Sequence, residues 1–206
     1  MLKYIRWTAY GLIGLLLTGW AGLWVTGNLP GSQPSAGLSI PGGVSVGGPF
    51  ALIDGQNRPV TDAAFRGRMM LVFFGYTFCP DVCPTELQTV AGVLDRLGAD
   101  AAKVAPVFIT IDPTRDTPAV VGEYVKLFDD RITGLSGTEA QVAAATKAYR
   151  VYYARAGNKT TTDYLMDHSS FLYLMGADGK LRALFRQGST ADEITTAIRA
   201  RLTAGG

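Results

Sequence analysis

A short apolar run, Met69–Phe74, is followed by two cysteines and then by an amphipathic stretch, and this order restricts the fold more than any other feature. The run is partly aromatic and ends at Gly75, which is typical of a buried strand. Beyond the cysteines, apolar residues recur at spacings of three and four, as on the core-facing side of a helix: Leu87, Val90, Ala91, Leu94 and Leu97. The sequence therefore predicts a strand-to-helix turn that presents two sulfurs.

The two sulfurs belong to Cys79 and Cys83, the only cysteines in the chain. Pro84 suits the first position of a helix, where a missing N–H costs nothing, so Cys83 is expected at or near the N-cap. Unpaired backbone N–H groups and the positive end of the helix dipole lower the pKa of a thiol placed there. We therefore expect Cys83 to be the more acidic thiol of the pair.

The distribution of charge argues against a nucleic-acid-binding surface. The chain of 206 residues holds 19 Lys and Arg and 17 Asp and Glu, and its first 47 residues contain only Lys3 and Arg6 among these. Without those two, 17 basic and 17 acidic residues remain, so the rest of the chain is formally neutral. A broad nucleic-acid surface needs clustered positive charge, and no nucleic-acid partner is expected.

An uncharged, mostly apolar segment from Trp7 to Gly27 predicts a transmembrane helix. At about 1.5 Å per residue it spans roughly 30 Å, the thickness of a bilayer core. Lys3 and Arg6 precede it, which places the N-terminus in the cytoplasm. Residues 1–28 are thus expected to form a single-pass inner-membrane anchor, with the rest in the periplasm or the equivalent compartment. A cleaved secretory signal is the alternative, and it also exports the domain.

The exported part is expected to consist of a linker and one domain. Residues 29–48 are rich in Gly, Ser and Pro and predict a flexible tether without a core of its own. Residues 49–206 are expected to form the folded domain.

Apolar runs and turn signals predict the elements of this domain. Strands are expected at Phe50–Ile53, Met69–Phe74, Val104–Ile111, Ile132–Leu135, Val151–Arg155, Tyr164–Met166, Ser170–Met175 and Leu181–Phe185. Helices are expected at Pro84–Leu97, Pro118–Phe128, from the cap Thr138 to Tyr149, and at Ala191–Leu202, with Thr117 capping the second and Thr190 or Ser189 the last. This order is that of an α/β domain with a thioredoxin-like mixed sheet flanked by helices.

His168 is the only histidine, and it comes just before the apolar strand Ser170–Met175. In a thioredoxin-like domain the loop that enters this strand faces the cysteine turn, and enzymes of that group carry a cis-proline there. All ten prolines of this chain lie at or before Pro118, so His168 takes the neighbourhood of the missing proline. We therefore expect Cys79, Cys83 and His168 to converge.

Two thiolates and an imidazole are a donor set that suits a metal ion. Cys-x-x-x-Cys is one residue longer than the redox Cys-x-x-Cys, which lets both sulfurs reach one ion. Thiolates select copper(I), and imidazole binds either oxidation state of copper, whereas a structural zinc would need a fourth protein ligand. The simpler alternatives are a structural disulfide between the cysteines and a hydrogen-bonded structural histidine.

Nearby acidic residues could support such a site or simply shape its loops. Asp81 could accept a hydrogen bond beside the sulfurs, or form a turn after Pro80. Asp167 could orient the imidazole, although a plain loop position is favoured. The stretch from Asp112 to Pro118 reads as a turn, an Arg–Asp pair and a helix cap.

Three blocks of sequence resemble the Sco/SenC copper chaperones of cytochrome oxidase assembly. They are Gly75–Pro84, the Asp-Pro-x-Arg-Asp-Thr-Pro stretch at 112–118, and Asp167-His168-Ser169. The resemblance implies that Cys79, Cys83 and His168 bind copper(I) or copper(II), and that the two cysteines cycle between dithiol and disulfide. It implies as partner an oxidase subunit with a dinuclear copper site, and as further partners a thioredoxin-like reductant or another copper carrier.

Two other functions use the same residues. The first is a thiol-disulfide oxidoreductase that reduces the recipient's cysteines without metal, in which case the protein would be an enzyme. The second is a copper or redox sensor that signals through a separate membrane partner.

Overall fold

A computed structural model describes residues 45–156 and 164–203, which belong to one compact unit and form nine strands and four α-helices. The strands are β1 Ala51–Asp54, β2 Pro59–Thr61, β3 Met69–Gly75, β4 Val104–Thr110, β5 Thr133–Ser136, β6 Tyr153–Ala156, β7 Leu165–His168, β8 Phe171–Met175 and β9 Leu181–Arg186. The helices are α1 Val82–Leu97, α2 Pro118–Lys126, α3 Glu139–Tyr149 and α4 Ala191–Thr203.

Seven strands form one mixed sheet in the order β2-β1-β5-β4-β3-β8-β9. The pairs β3–β4 and β4–β5 are parallel, and the other pairs are antiparallel. Both β3 and β4 are buried along their whole length, as their continuous apolar sequences predict. The strand that leads to the cysteines is therefore central to the sheet and held on both edges.

Helices cover both faces of this sheet. On one face, Phe108 of β4 packs against Tyr124 of α2, with ring centroids 5.7 Å apart. On the other face, Phe74 of β3 packs against Tyr149 of α3, with centroids 5.2 Å apart. The predicted mixed α/β sheet with flanking helices is confirmed.

The predicted helix caps are confirmed by hydrogen bonds. Thr117 accepts from the Val120 amide, and Thr138 forms a reciprocal capping box with Gln141. Of the two candidates for the last helix, Thr190 is the cap, because its hydroxyl accepts from the amide of Glu193. Local chemistry thus determines where these helices begin.

Three details differ from the sequence expectations. Helix α1 begins at Val82, two residues before the expected start at Pro84, and with Asp81 as N-cap it has Cys83 as its second residue, near the cap as expected. Pro84 is tolerated there because the first four N–H groups of a helix have no intrahelical partner. Strand β2 was not expected. The packed residues also reach back to Val46, which is buried three positions before the predicted start.

The predicted anchor and most of the linker lie outside the described residues. So do Gly157 and Asn158, where the sequence predicts a hairpin turn between the expected strands Val151–Arg155 and Tyr164–Met166. Within residues 45–156 and 164–203, no helix is long and apolar enough to cross a bilayer. The strands on either side of that turn, β6 and β7, do pair antiparallel as predicted.

Two mid-helix glycines provide a test of the packing. An alanine Cβ at Gly122 in α2 would lie 2.6 Å from the Cα of Gly55, a backbone atom that cannot easily move. At Gly92 in α1 the nearest atom, 3.0 Å away, belongs to the flexible Arg96 side chain. Gly122→Ala is expected to destabilise the domain by about 1–3 kcal/mol through overpacking.

The matched variant Gly92→Ala is expected to be neutral or to stabilise by up to about 1 kcal/mol, because alanine is the better helix former. Urea unfolding of both variants and the parent measures the two effects. If both variants raise the free energy of unfolding equally, α2 does not approach Gly55, in the turn after β1, this closely.

Candidate metal centre

Strand β3 delivers the cysteine loop to one end of the sheet. The chain leaves the sheet at Gly75, turns through residues 76–81 and enters α1. An added Cβ at Gly75 would lie 2.7 Å from Cys83 Sγ and 2.9 Å from the Phe108 ring. Glycine is therefore required here so that the sulfur can pack directly against the end of the strand.

Both cysteines are buried and are not bonded to each other. Cys79 is 8% exposed and Cys83 is fully inaccessible. The amide of Cys83 donates to Cys79 Sγ over 3.4 Å, a bond available because this amide belongs to the first turn of α1. The helix N-terminus thus acts on the sulfur of Cys79.

The expectation that Cys83 is the more acidic thiol is wrong. Hydrogen bonds from the Cys83 thiol and from the Cys83 and Asp81 backbone amides lower the pKa of Cys79 well below its ordinary value. The hydrogen bond to Cys79 and burial both raise the pKa of Cys83. Cys83 has the helical position, but its sulfur is buried away from solvent, and desolvation disfavours the thiolate.

His168 reaches the cysteines from the end of β7. Its Nε2 lies 3.9 Å from Cys83 Sγ, although the two residues are 85 positions apart in sequence. The ring packs edge-on against Tyr76 and Phe73, with centroids 6.0 and 6.3 Å away. Nδ1 lies 3.3 Å from the carbonyl oxygen of Ser169, and a proton on Nδ1 leaves the Nε2 lone pair facing the sulfurs.

The separation of these donors suits a soft metal ion. Bonds of about 2.3 Å to sulfur and about 2.0 Å to nitrogen, meeting at a trigonal angle, place the two donor atoms about 3.7 Å apart. The observed 3.9 Å between Cys83 Sγ and His168 Nε2 is close to that value. Among the described residues, no group of three His, Cys, Asp or Glu side chains is arranged to hold a metal ion.

The two acidic residues considered from sequence do not join the cluster. Asp81 is exposed, and as N-cap its side chain makes no capping hydrogen bond. Its backbone amide is what acts on Cys79. Asp167 is exposed and, as the strand neighbour of His168, projects from the opposite face of β7. The ring nitrogen that Asp167 could have oriented faces the Ser169 carbonyl.

Sequence reasoning missed the residue that fixes the cysteine loop. Asp116 is fully buried and accepts hydrogen bonds from the Thr77 amide at 3.0 Å, the Thr77 hydroxyl at 2.5 Å and the Thr110 hydroxyl at 2.6 Å. Burial raises the pKa of its carboxyl group. The parallel order of β3 and β4 could have indicated this contact, because the segments that follow both strands meet at one edge of the sheet.

The expected Arg–Asp pair is confirmed and lies beside the same loop. Arg115 Nε donates to Asp112 Oδ2 over 2.6 Å. Its guanidinium carbon lies 3.7 Å from the ring centre of Tyr164 and 4.6 Å from that of Phe78. Phe78 immediately precedes Cys79, so this pair contacts the cysteine loop directly.

Comparison with known proteins assigns the chain to a family. The family model described as SCO1/SenC matches residues 40–203. The chain belongs to the SCO1/SenC family. The mouse "Protein SCO2 homolog, mitochondrial" is 41% identical over 159 residues, which are 76% of this chain and 62% of that protein. The chain therefore spans about three fifths of the length of this mammalian relative.

Solved structures of family members have the same fold. ScoI from Bradyrhizobium japonicum, solved with copper bound, is 43% identical and superposes with a TM-score of 0.70, covering 76% of this chain and 99% of that one. Yeast Sco1, also solved with copper bound, is 37% identical with a TM-score of 0.71, covering 78% and 90%.

The unequal cysteines predict selective alkylation. In the reduced, metal-free protein at pH 7, a brief exposure to iodoacetamide is expected to modify Cys79 first, because it is the better thiolate and the more exposed sulfur. Peptide mass spectrometry distinguishes the two sites, and the urea-unfolded protein, in which both react alike, is the control. Preferential labelling of Cys83 would contradict the assignment.

Proposed function

We propose that this protein is a membrane-tethered copper metallochaperone. It binds copper through Cys79, Cys83 and His168 and assists assembly of the dinuclear copper site of cytochrome c oxidase. The observation that carries the proposal is the approach of His168 Nε2 to within 3.9 Å of Cys83 Sγ, beside Cys79. Membership of the SCO1/SenC family and the copper-bound relatives support copper as the cargo.

The donor set explains why the ion can be both held and released. Thiolates bind copper(I) strongly, and the neutral imidazole extends binding to copper(II). Three protein ligands leave a position open, at which a thiolate of a recipient can attach before the donor's ligands leave. Ligand exchange of this kind transfers the ion without releasing it to solvent.

The two thiols differ in their pKa, and therefore in whether they carry a proton before metal binds. Cys79 has its pKa lowered and offers a thiolate at neutral pH, whereas the raised pKa of Cys83 means that it must lose a proton when metal binds. The first contact with copper is therefore assigned to Cys79, and Cys83 and His168 complete the site.

The partner is proposed to be the oxidase subunit that bears the dinuclear copper site. A thioredoxin-like reductant or another copper carrier would prepare the chaperone for its next cycle. Residues 1–28 would anchor the protein in the inner membrane, and the copper site would act in the periplasm or the equivalent compartment. Each of these follows from the family resemblance and the apolar N-terminal segment.

A thiol-disulfide reductase is the second candidate, because the lowered pKa of Cys79 also suits a nucleophile. In that function Cys79 attacks a substrate disulfide, and Cys83 then displaces the reduced product. Rapid reduction of insulin by the metal-free protein would favour this candidate over the chaperone.

Metal titration tests the three-ligand site. His168→Ala is expected to weaken copper(II) binding by at least about a hundredfold, since even the loss of a residue that supports a ligand costs about 10- to 100-fold. Cys79→Ser is expected to lose tight binding of both copper(I) and copper(II). Competition with chelators of known affinity, under anaerobic conditions for copper(I), measures these constants.

Asp167→Asn is the matched control, because it changes the exposed neighbour of His168 and should bind copper like the parent. If His168→Ala also binds copper(II) like the parent, the three-ligand site is wrong. The biological role is tested separately: a deletion strain should lose cytochrome c oxidase activity, and added copper should restore it. An intact oxidase with an altered transcriptional response to copper would instead favour the sensor.

A further inference from the structure

The strand that carries His168 is not part of the main sheet. Strands β6 and β7 pair only with each other among the described residues. A two-stranded hairpin is marginally stable at best in water, so pairing with β6 does not by itself fix β7. Other contacts must hold the imidazole beside the sulfurs.

The edge of β7 that faces away from β6 is hydrogen-bonded by side chains instead of by another strand. The amide of Ser169 donates to the Tyr152 carbonyl on the β6 side. Because antiparallel pairing alternates, the N–H of Met166 and the C=O of Tyr164 face the other edge. There the Tyr76 hydroxyl accepts from the Met166 amide over 3.2 Å, and Arg115 Nη1 donates to the Tyr164 carbonyl over 2.9 Å.

Tyr76 connects this edge to the cysteine loop. Its carbonyl accepts from the Cys79 amide over 3.3 Å, and its ring packs edge-on against the ring of His168. The residue is 2% exposed, so solvent does not compete for its hydroxyl. One buried side chain therefore contacts both the strand of the imidazole and the loop of the thiols.

Arg115 makes the second connection. It pairs with Asp112, and Asp112 also accepts a hydrogen bond of 2.7 Å from the Tyr164 hydroxyl. The guanidinium carbon also lies within 4.6 Å of the ring centres of both Tyr164 and Phe78. Arginine bonds the Asp112 carboxylate through Nε and the Tyr164 carbonyl through Nη1, and the single ammonium of a lysine does not reproduce this fork of separate donors.

We propose that Tyr76 and Arg115 are positioning residues that latch the free edge of β7 to the cysteine loop and so set the distance from His168 to the sulfurs. This latch rests on the proposed function, in which His168 is a copper ligand. It has a specific consequence. Copper(II) depends on the imidazole, whereas two thiolates suffice for copper(I), so the latch controls the preference between the two oxidation states.

The test uses Tyr76→Phe and Arg115→Lys in the full chain. Each is expected to weaken copper(II) binding by about 10- to 100-fold, the usual effect of a residue that orients a ligand, and to change copper(I) binding much less. Tyr173→Phe, a buried tyrosine packed on the other face of the sheet, and Arg131→Lys, whose ion pairs are with Asp95 and Asp129, are the matched controls. Both should bind like the parent.

Hydrogen–deuterium exchange provides a readout that does not involve metal. In the copper-free protein, Tyr76→Phe should speed exchange of the Met166 amide, because its acceptor is removed, while the β3 amides stay protected. Unchanged exchange would overturn the latch, and so would equal losses of copper(I) and copper(II) binding. If His168→Ala binds copper like the parent, the proposed function fails, and the exchange result alone then decides whether the latch exists.

Discussion

The contact between the His168 ring and the Cys83 sulfur is the interaction on which the proposed function depends, and local structure alone does not create it. The sulfur is fixed by a short path: β3 ends at Gly75, and α1 begins at Val82. The imidazole arrives by a long path through most of the domain and ends on a hairpin outside the main sheet. The core therefore fixes the thiols directly, whereas the histidine is held through side-chain hydrogen bonds to the strand that carries it.

Buried polar groups hold the site together where apolar packing cannot specify a geometry. Asp116 has no cationic partner among its hydrogen bonds, yet it accepts three of them, two from Thr77. A buried carboxylate is costly unless it is well bonded, and the gain here is a fixed cysteine loop. On the histidine side of the site, Asp112 pairs with Arg115. Arg115 in turn donates to the Tyr164 carbonyl, just before β7, and contacts the Phe78 ring of the cysteine loop.

Much of the fold could be predicted from the sequence because its signals are local. The buried β3, the apolar stripe of α1 and the threonine caps all follow from spacing within a few residues. The convergence of the three candidate ligands required the order of the elements, and the family resemblance. By contrast, the start of α1 was predicted at Pro84, two residues too late, because proline is tolerated throughout the first turn and does not mark its first position alone.

What the sequence did not reveal depends on burial and on distant pairs. From the sequence, Cys83 is expected to have the lower pKa of the two thiols. Its position at the start of a helix could be recognised in the sequence, but its complete burial could not. The hydrogen bond from the Met166 amide to the Tyr76 hydroxyl joins positions 90 apart and involves a backbone group, which leaves no mark in the sequence.

X-ray absorption at the copper edge tests the central claim most directly, because it counts the atoms around the ion. Protein loaded with one copper is expected to show two sulfur neighbours at about 2.3 Å and one imidazole nitrogen at about 2.0 Å. A first shell without sulfur, or one that is identical in the parent and in His168→Ala, would contradict the account.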